Sequence, residues 1–399
     1  MPMNRGPGLR RVPPADLDAV EGDADLVARI RAEIDRSGPI TFARFMDLAL
    51  YDPAGGYYRA DRARPGREGD FLTAPEASPI FGRAIARHVA DVWRVLGEPK
   101  PFVVREYGAG AGSLAIGLFD GLGRSEPSLA AAVRYRPVDI EARRVDELRS
   151  RLAAAGPPVA DVPVEADDGA PIVGVALANE VLDALPTHRV VQRGGALREV
   201  HVGWGGDGFQ DVEGEPSTAA LGERLADEAI RLADGQSAEI CLALDGWVAA
   251  MAAGLERGEA LLIDYGHPAG DLYDPVRRPA GTLLAYLRHT AHEAFYRAVG
   301  RQDLTAHVDV TAVERAAARA GLDHLATMTQ SRFLEALGAG ELLVELQGGS
   351  GGATPAAFQA YLEARSALVR MIDPAAMGGF RVMGFARGLP AGARPRGLS

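Results

Sequence analysis

The sequence contains a single cysteine, Cys241, among 399 residues. No intrachain disulfide bond can form, and a metal site built from several cysteines is disfavoured. No apolar run approaches the roughly 18 residues needed to cross a bilayer, so we expect no membrane-spanning helix. The first residues, MPMNRGPGLRRVPP, lack the apolar segment of a secretory signal, which favours a cytoplasmic location in a bacterium.

Positive charge is also scarce. Lysine and arginine together number 43 against 54 acidic residues, which gives a net charge of -11 at pH 7. Nucleic acids and membrane surfaces select basic faces, so we expect neither as a partner. The hydrophobic content of 47% is typical of a globular protein, and the length favours two or three lobes. The composition leaves an oligomer open.

Apolar runs alternate with helical segments in the middle of the chain. The runs are FVVREYG, VRYRPVDI, IVGVALANEV and EALLIDYG. This alternation predicts an α/β fold with a mostly parallel sheet and helices on both faces. The segment THRVVQRGGALREVHVGW predicts a β-hairpin around Gly194 and Gly195, and RVMGFARGL predicts a last strand.

A glycine turn follows the first of these runs. Gly108, Gly110 and Gly112 lie between a predicted strand and a predicted helix. A dinucleotide fingerprint, G-x-G-x-x-G, requires glycine where Ser113 stands. A P-loop requires a lysine, and Lys100 is the only lysine in the chain. Both phosphate-binding interpretations are therefore weakened.

Two acids accompany this turn. Glu106 ends the first strand, where it would repel a pyrophosphate but suits a cationic ligand. S-adenosylmethionine has a sulfonium and no phosphate, and glycines allow bare backbone to approach it. Asp139, after the second strand, would accept hydrogen bonds from the ribose hydroxyls. The residues thus favour S-adenosylmethionine, while a glycine turn without a ligand stays open.

Several longer blocks resemble one known family. They are ITFARFMDLALYDPAGGYY, GDFLTAPEASPIFG, EYGAGAGSLA, ANEVLDALPTHR, LLIDYG, GTLLAY and QDLTAHVDVTA. In this order they resemble the MidA family, which is related to the mitochondrial complex I assembly arginine methyltransferase. The resemblance runs from about Ile40 to Gly388. It implies a Rossmann-like methyltransferase core with an N-terminal helical lobe and inserted elements on the acceptor side.

We divide the chain accordingly. The predicted parts are a flexible tail over 1–22, a helical and lid region over 23–99, and a cofactor-binding core with an inserted hairpin over 100–266. An acceptor-side insertion is expected over 267–345, a segment completing the core over 346–390, and a frayed tail over 391–399.

Candidate catalytic residues come from two blocks. In ANEVLDALP, Glu180 and Asp183 leave a strand end, where they could pair with a guanidinium or accept a proton from a hydroxyl. Asn179 is expected at the cofactor, although Asn179 and Asp183 could instead only cap a helix. In QDLTAHVD, His307 lies between two acids and could act as a general base, or as a structural histidine.

Other candidate residues complete the site. Asp70 and Thr73 of GDFLTAPE offer an acid and a hydroxyl to the cofactor from a lid, or belong to a structural loop. Tyr265 and His267 of DYGHP are expected to line the acceptor cleft. No metal site is predicted.

Three functions remain open from the sequence. The first is transfer of a methyl group from S-adenosylmethionine to a protein arginine, which is the activity that the resemblance implies. The second is the same chemistry on an oxygen or nitrogen of a small metabolite or a peptide natural product. The third is a non-catalytic assembly factor with the same fold, which the retained glycines and acids disfavour.

Overall fold

The computed structural model describes residues 20–59, 73–206, 208–348, 355–390 and 392–399. The first part of the chain forms α1 (Ala24–Ser37), β1 (Ile40–Thr41), α2 (Phe42–Tyr51), a 3-10 turn (Tyr57–Arg59), α3 (Ala74–Ala77) and α4 (Pro79–Val95). Next come β2 (Phe102–Tyr107), α5 (Ser113–Ser125), α6 (Pro127–Ala132), β3 (Val133–Val138), α7 (Ala142–Ala155), a 3-10 turn (Val159–Asp161) and β4 (Ile172–Asn179).

The rest of the chain alternates short strands and helices. Its first half contains β5 (His188–Arg193), β6 (Ala196–Gly205), β7 (Gly208–Gly214), α8 (Ala220–Asp227), β8 (Ser237–Ile240), α9 (Ala243–Ala253), β9 (Leu255–Asp264), β10 (Gly266–His267) and α10 (Ala269–Leu272). Its second half contains β11 (Leu284–Leu287), β12 (Thr290–His292), β13 (Asp303–Thr305), β14 (Val308–Asp309), α11 (Val310–Arg319), β15 (Asp323–Thr329), α12 (Gln330–Ala336), α13 (Ala339–Gly348), α14 (Pro355–Ile372), a 3-10 turn (Met377–Gly379) and β16 (Arg381–Arg387).

The central sheet has six strands in the order β15-β16-β9-β4-β2-β3. Strands β3, β2, β4 and β9 are parallel, whereas β16 runs antiparallel between β9 and β15. Successive side chains point to opposite faces, so Val104 joins the cluster that includes α4 and α5, while Val103 joins the cluster that includes α9 and α11. The predicted α/β sheet with helices on both faces is confirmed.

A second, antiparallel sheet follows the order β1-β6-β5-β8, with β7 also paired to β6. Its β5–β6 hairpin is the predicted one, and Arg193 pairs with Ala196 across the turn. Gly194 and Gly195 both have positive φ, of 56° and 87°, as a two-residue hairpin turn matching the strand twist requires. Helices α1 and α2 pack against this sheet.

Parts of three predicted segments belong to the packed core of the fold. Within 267–345, strand β15 is an edge strand of the central sheet and α11 packs on α9, so this range is only in part an insertion. Within 23–99, helix α4 packs against α5 as part of the core. The end of the chain is not frayed over 392–399, because Leu398 is 1% exposed and the Arg396 carbonyl accepts a hydrogen bond from buried His88.

The remaining strands form small sheets. Strands β12-β11-β13 are antiparallel, and β10 pairs with β14 in parallel. Within the described ranges no helix combines the length and the apolar character needed to cross a membrane. In that same part of the chain no group of His, Cys, Asp and Glu side chains is arranged to hold a metal ion.

Candidate functional site

An open cleft of about 370 Å³ lies where β2, β3 and β4 end. Parallel strands place their carboxyl ends at one edge of a sheet, which is where ligands bind in open α/β folds. The volume lies within the range of small-molecule sites, roughly 300–1,000 Å³. The lining combines the glycine turn, several carboxyl side chains and an aromatic wall: Tyr51, Tyr58, Thr73, Glu76, Glu106, Tyr107, Gly108, Gly110, Asp139, Ile140, Arg144, Asn179, Glu180, Ala184 and Trp247.

The glycine turn has the backbone that its sequence suggests. Gly108, Gly110 and Gly112 have φ values of 66°, 50° and 78°, in the left-handed region that glycine adopts most readily. A Cβ on Gly110 would face open space, with no atom nearer than 3.9 Å, so the backbone there is bare toward the cleft. Gly112 begins α5 and packs on Leu148 instead of lining the cleft.

The two acids beside this turn both line the cleft. Glu106 is buried, and its carboxyl accepts a hydrogen bond of 2.6 Å from the Tyr135 hydroxyl. Burial raises the pKa of Glu106 to about 7, although the Tyr135 hydroxyl opposes the shift. Asp139 accepts hydrogen bonds from the N–H groups of Gly110 and Glu141, so it connects the second strand to the glycine turn.

The end of β4 brings a third acid, Glu180, to the cleft. Glu180 has φ of 54°, a conformation that costs a non-glycine residue roughly 1–3 kcal/mol. The Asn179 amide donates a hydrogen bond of 3.1 Å to Glu180, while the Asn179 amide oxygen is buried with no hydrogen-bond partner in the described parts. Burial, and next the charge of Asp183, raise the pKa of Glu180 to about 8.

Residues 84–328, which include all of these strands and the glycine turn, match the model of a family of S-adenosyl-L-methionine-dependent methyltransferases. The chain belongs to this family. It is an S-adenosylmethionine-dependent methyltransferase, as the resemblance to the MidA family implied.

Two curated relatives illustrate the match to this methyltransferase. A Drosophila melanogaster protein named "Protein arginine methyltransferase NDUFAF7 homolog, mitochondrial" is 30% identical over 357 residues, which are 81% of this chain and 77% of the relative. The Homo sapiens protein named "Protein arginine methyltransferase NDUFAF7, mitochondrial" is 26% identical over 342 residues, or 78% and 73% of the two chains.

Solved structures agree with the fold. A protein from Burkholderia thailandensis, solved bound to S-adenosyl-homocysteine, is 34% identical and superposes with a TM-score of 0.84. The match covers 98% of this methyltransferase and 97% of that chain. A native structure of a protein from the same organism matches at 34% identity with a TM-score of 0.79, over 96% of each chain.

The cleft of the methyltransferase suits the cofactor that the family uses. The bare backbone at Gly110 allows a ligand to approach closely, and the unpaired amide oxygen of Asn179 leaves an acceptor for a donor group. Glu106 and Asp139 supply carboxyl groups to the same cleft. These residues would hold S-adenosylmethionine, which supplies a methyl group on a positively charged sulfur.

The structure divides the predicted catalytic residues between two places. Glu180 lines the cleft, whereas Asp183 and His307 line a second, small cavity of about 20 Å³. Asp183 accepts a hydrogen bond from the Tyr265 hydroxyl, and burial raises the pKa of Asp183 to about 6. His307 stacks on His267, with ring centroids 5.3 Å apart.

The residues predicted for the acceptor lie behind the cleft. Neither Tyr265 nor His267 is among the residues that line it. Burial, and next the charge of Arg278, lower the pKa of His267 to about 4. Of the two lid residues, Thr73 lines the cleft and forms a capping box with Glu76, while Asp70 lies outside the described residues.

The aromatic wall of the cleft was not among the predicted site residues. Tyr51 and Tyr58 stack at one side of the cleft, and Tyr107 packs edge-on against Trp247 at another. Tyr58 belongs to the sequence GGYY, and this was a signal, since aromatic residues beside a predicted lid are suited to holding a ligand. No local pattern distinguishes Trp247, which lies on α9, 68 residues after Asn179 in the chain.

Proposed function

We propose that this methyltransferase transfers the methyl group to a guanidinium nitrogen of a protein arginine. The observation that carries this proposal is Glu180, a carboxyl held on a strained backbone in the wall of the cleft. A carboxylate forms charge-assisted, often bidentate hydrogen bonds to a guanidinium. The names of the curated relatives, which are protein arginine methyltransferases, support the same acceptor.

The carboxyl groups of the cleft support a cationic acceptor. Glu76, Glu106, Asp139 and Glu180 all line it, whereas Arg144 is the one lysine or arginine among its described lining residues. Burial raises the pKa of Glu76, of Glu106 and of Glu180, because water solvates the ionised forms poorly there. A guanidinium bound beside Glu180 stabilises the ionised carboxylate and lowers this raised pKa.

The reaction requires one proton transfer. A carbon–nitrogen bond forms at the guanidinium, the sulfur–methyl bond breaks, and the sulfur keeps its electron pair. The methylated nitrogen gives up one proton, because the product is again a singly charged guanidinium. Glu180 holds the arginine side chain and accepts this proton at its carboxylate, while Asn179 fixes the carboxylate by its amide hydrogen bond.

Labelled donor tests this proposal. The protein is incubated with methyl-labelled S-adenosylmethionine and a set of arginine-containing peptides, and acid hydrolysates are analysed for labelled methylarginine. Matched peptides with lysine in place of arginine serve as the acceptor control. We expect label in arginine only, and Glu180→Gln should reduce the rate at least a hundredfold while the affinity for S-adenosyl-homocysteine stays within a few-fold.

A different distribution of label would contradict the arginine assignment. Incubation with a cell extract separates the alternatives, since label in the small-molecule fraction alone would indicate a metabolite acceptor. Full activity of Glu180→Gln on arginine would exclude Glu180 as the proton acceptor. The two results are independent, because the first concerns the acceptor and the second concerns the residue.

A further inference from the structure

We propose that Tyr51 and Tyr58 form the acceptor subsite, in which the aromatic pair holds a flat, delocalised cation in the same cleft as Glu180. This inference rests on the proposed function and specifies the residues that select the arginine side chain. It also gives a role to Asp303 of the QDLTAHVD block, which the reaction itself does not use.

The two rings form one rigid unit in the cleft wall. Their centroids lie 5.6 Å apart and their planes differ by 19°, which is a stacked arrangement. Both tyrosines line the cleft at the end of α2 and in the turn after it. Aromatic pairs of this kind present an electron-rich face to a cation.

Both hydroxyl groups are occupied by the protein itself. The Tyr51 hydroxyl donates a hydrogen bond of 2.8 Å to the carbonyl of Ala184. The Tyr58 hydroxyl lies 3.0 Å and 3.1 Å from the two carboxylate oxygens of buried Asp303, to which it donates. The rings are therefore fixed from behind, and what they offer to the cleft is aromatic surface.

The hydrogen bond from Tyr51 to Ala184 links the aromatic pair to the segment that carries Glu180. Ala184 belongs to the same short segment as Glu180, directly after β4, and both residues line the cleft. A guanidinium between the rings and this carboxylate would gain stacking on one side and charge-assisted hydrogen bonds on the other. That combination suits arginine, whose planar guanidinium stacks on aromatic faces, better than lysine, whose ammonium is a compact point charge.

The protein contains an example of this contact. The guanidinium carbon of Arg144, another cleft residue, lies 6.0 Å from the centroid of the Tyr58 ring. This distance is at the limit for a cation–π interaction. The ring of Tyr58 thus already has a guanidinium group over it, which an acceptor arginine would replace, and Asp303 and Tyr51 are the residues that hold the ring in place.

Kinetics with an arginine peptide test the subsite. Tyr58→Leu removes the aromatic face and should raise KM for the peptide about five- to thirtyfold, the range expected for loss of a desolvated cation–π contact. The affinity for S-adenosyl-homocysteine should change less than twofold. Tyr58→Phe keeps the ring and should have an intermediate KM. Tyr361→Leu, on α14 and outside the cleft, is the matched control with unchanged KM.

Asp303 is tested as a positioning residue by rescue. Asp303→Leu removes the acceptor of the Tyr58 hydroxyl and should raise KM with little change in kcat. Asp303→Asn retains one acceptor oxygen and should restore KM to within about threefold of the wild type. Circular dichroism and the affinity for S-adenosyl-homocysteine check that each variant is folded.

The subsite and the proposed function can fail separately. Direct binding of N-acetylarginine amide to the complex with S-adenosyl-homocysteine reports the subsite even if no arginine is methylated. Weaker binding by Tyr58→Leu supports the subsite. Unchanged KM and unchanged binding in Tyr58→Leu, a loss of S-adenosyl-homocysteine affinity instead, or no binding of the amide by the wild type would overturn it.

Discussion

The backbone N–H of Gly110 donates a hydrogen bond of 3.1 Å to Oδ2 of Asp139. The acid at the end of the second strand therefore fixes the glycine turn as well as facing the cleft. The other oxygen, Oδ1, accepts the N–H of Glu141 at 3.0 Å. Each carboxylate oxygen has a second lone pair, so both remain able to accept a hydroxyl of the ribose.

Asp139→Ala should weaken the binding of S-adenosyl-homocysteine. The loss of charge-assisted hydrogen bonds costs about 1.5–3 kcal/mol, or roughly tenfold to a hundredfold in affinity. Asp139→Asn keeps one acceptor oxygen, so its affinity for S-adenosyl-homocysteine should lie between those of the wild type and Asp139→Ala. Isothermal titration calorimetry measures the affinities, and an unchanged value in a folded Asp139→Ala would remove this acid from the cofactor site.

Gly110→Val should abolish cofactor binding and methyl transfer while the protein still folds. The side chain would enter open space in the cleft at φ of 50°, with a backbone strain of roughly 1–3 kcal/mol against a typical stability of about 5–15 kcal/mol. Gly194→Val is a matched control, since Gly194 has φ of 56°, an open environment and a place on a hairpin away from the cleft. If both variants bind S-adenosyl-homocysteine equally well, the glycine turn only reverses the chain and does not contact the cofactor.

Glu106→Gln should make the ligand-free protein more stable at alkaline pH. The pKa of Glu106 in the folded state, about 7, is above its ordinary value of 4.5, so the folded state favours the neutral carboxyl. The contribution of the neutral Glu106 carboxyl to the stability of the folded protein is complete below pH 4.5 and is lost as the pH rises through 7. The difference in the free energy of unfolding between the variant and the wild type should therefore change in favour of the variant by about 1–3 kcal/mol from pH 5 to pH 9.

Urea unfolding at the two pH values measures this change. Glu335→Gln, which removes an exposed carboxyl group on α12, is the control for the loss of one acidic side chain. A constant difference between Glu106→Gln and the wild type would mean that Glu106 titrates normally.

Leu398→Ala should destabilise the protein although it lies next to the last residue. Leu398 is 1% exposed and packs on the backbone of Gly384 in β16 and within the cluster around Phe333. Truncation of a buried leucine costs about 2–5 kcal/mol. Val369→Ala, which is 55% exposed on α14, should cost at most about 0.5 kcal/mol. Equal unfolding midpoints for the two variants would contradict the docking of this segment.

Local patterns were sufficient to predict the parallel strands and the hairpin. Runs such as IVGVALAN are apolar on both faces, which is typical of a strand between two layers of helices. Strand β15, DHLATMT, has no buried residue in its pattern, so nothing local distinguishes it from an exposed segment of the predicted insertion. The polar C-terminal residues dock through His88 and Leu398, contacts that only the folded chain brings together.

The candidate site was also predictable only in part. Glu106, Gly108, Gly110, Asp139 and Glu180 were expected together and do line one cleft. Asp183 was expected there because it shares a sequence block with Glu180. After Glu180 the chain bends sharply through a positive φ, and Asp183 then lines the second, small cavity instead, where Tyr265 binds it. The direction of a side chain after such a bend has no signature in a short motif.

The position of β16 has a consequence for how the protein is synthesised. This strand, Arg381–Arg387, pairs with β9 on one side and β15 on the other, and it is synthesised after both of them. Until then β9 exposes an unpaired edge and β15 has no neighbour, and open strand edges of incomplete chains promote aggregation. The central sheet is therefore completed only after β16 has been synthesised and has paired with both strands.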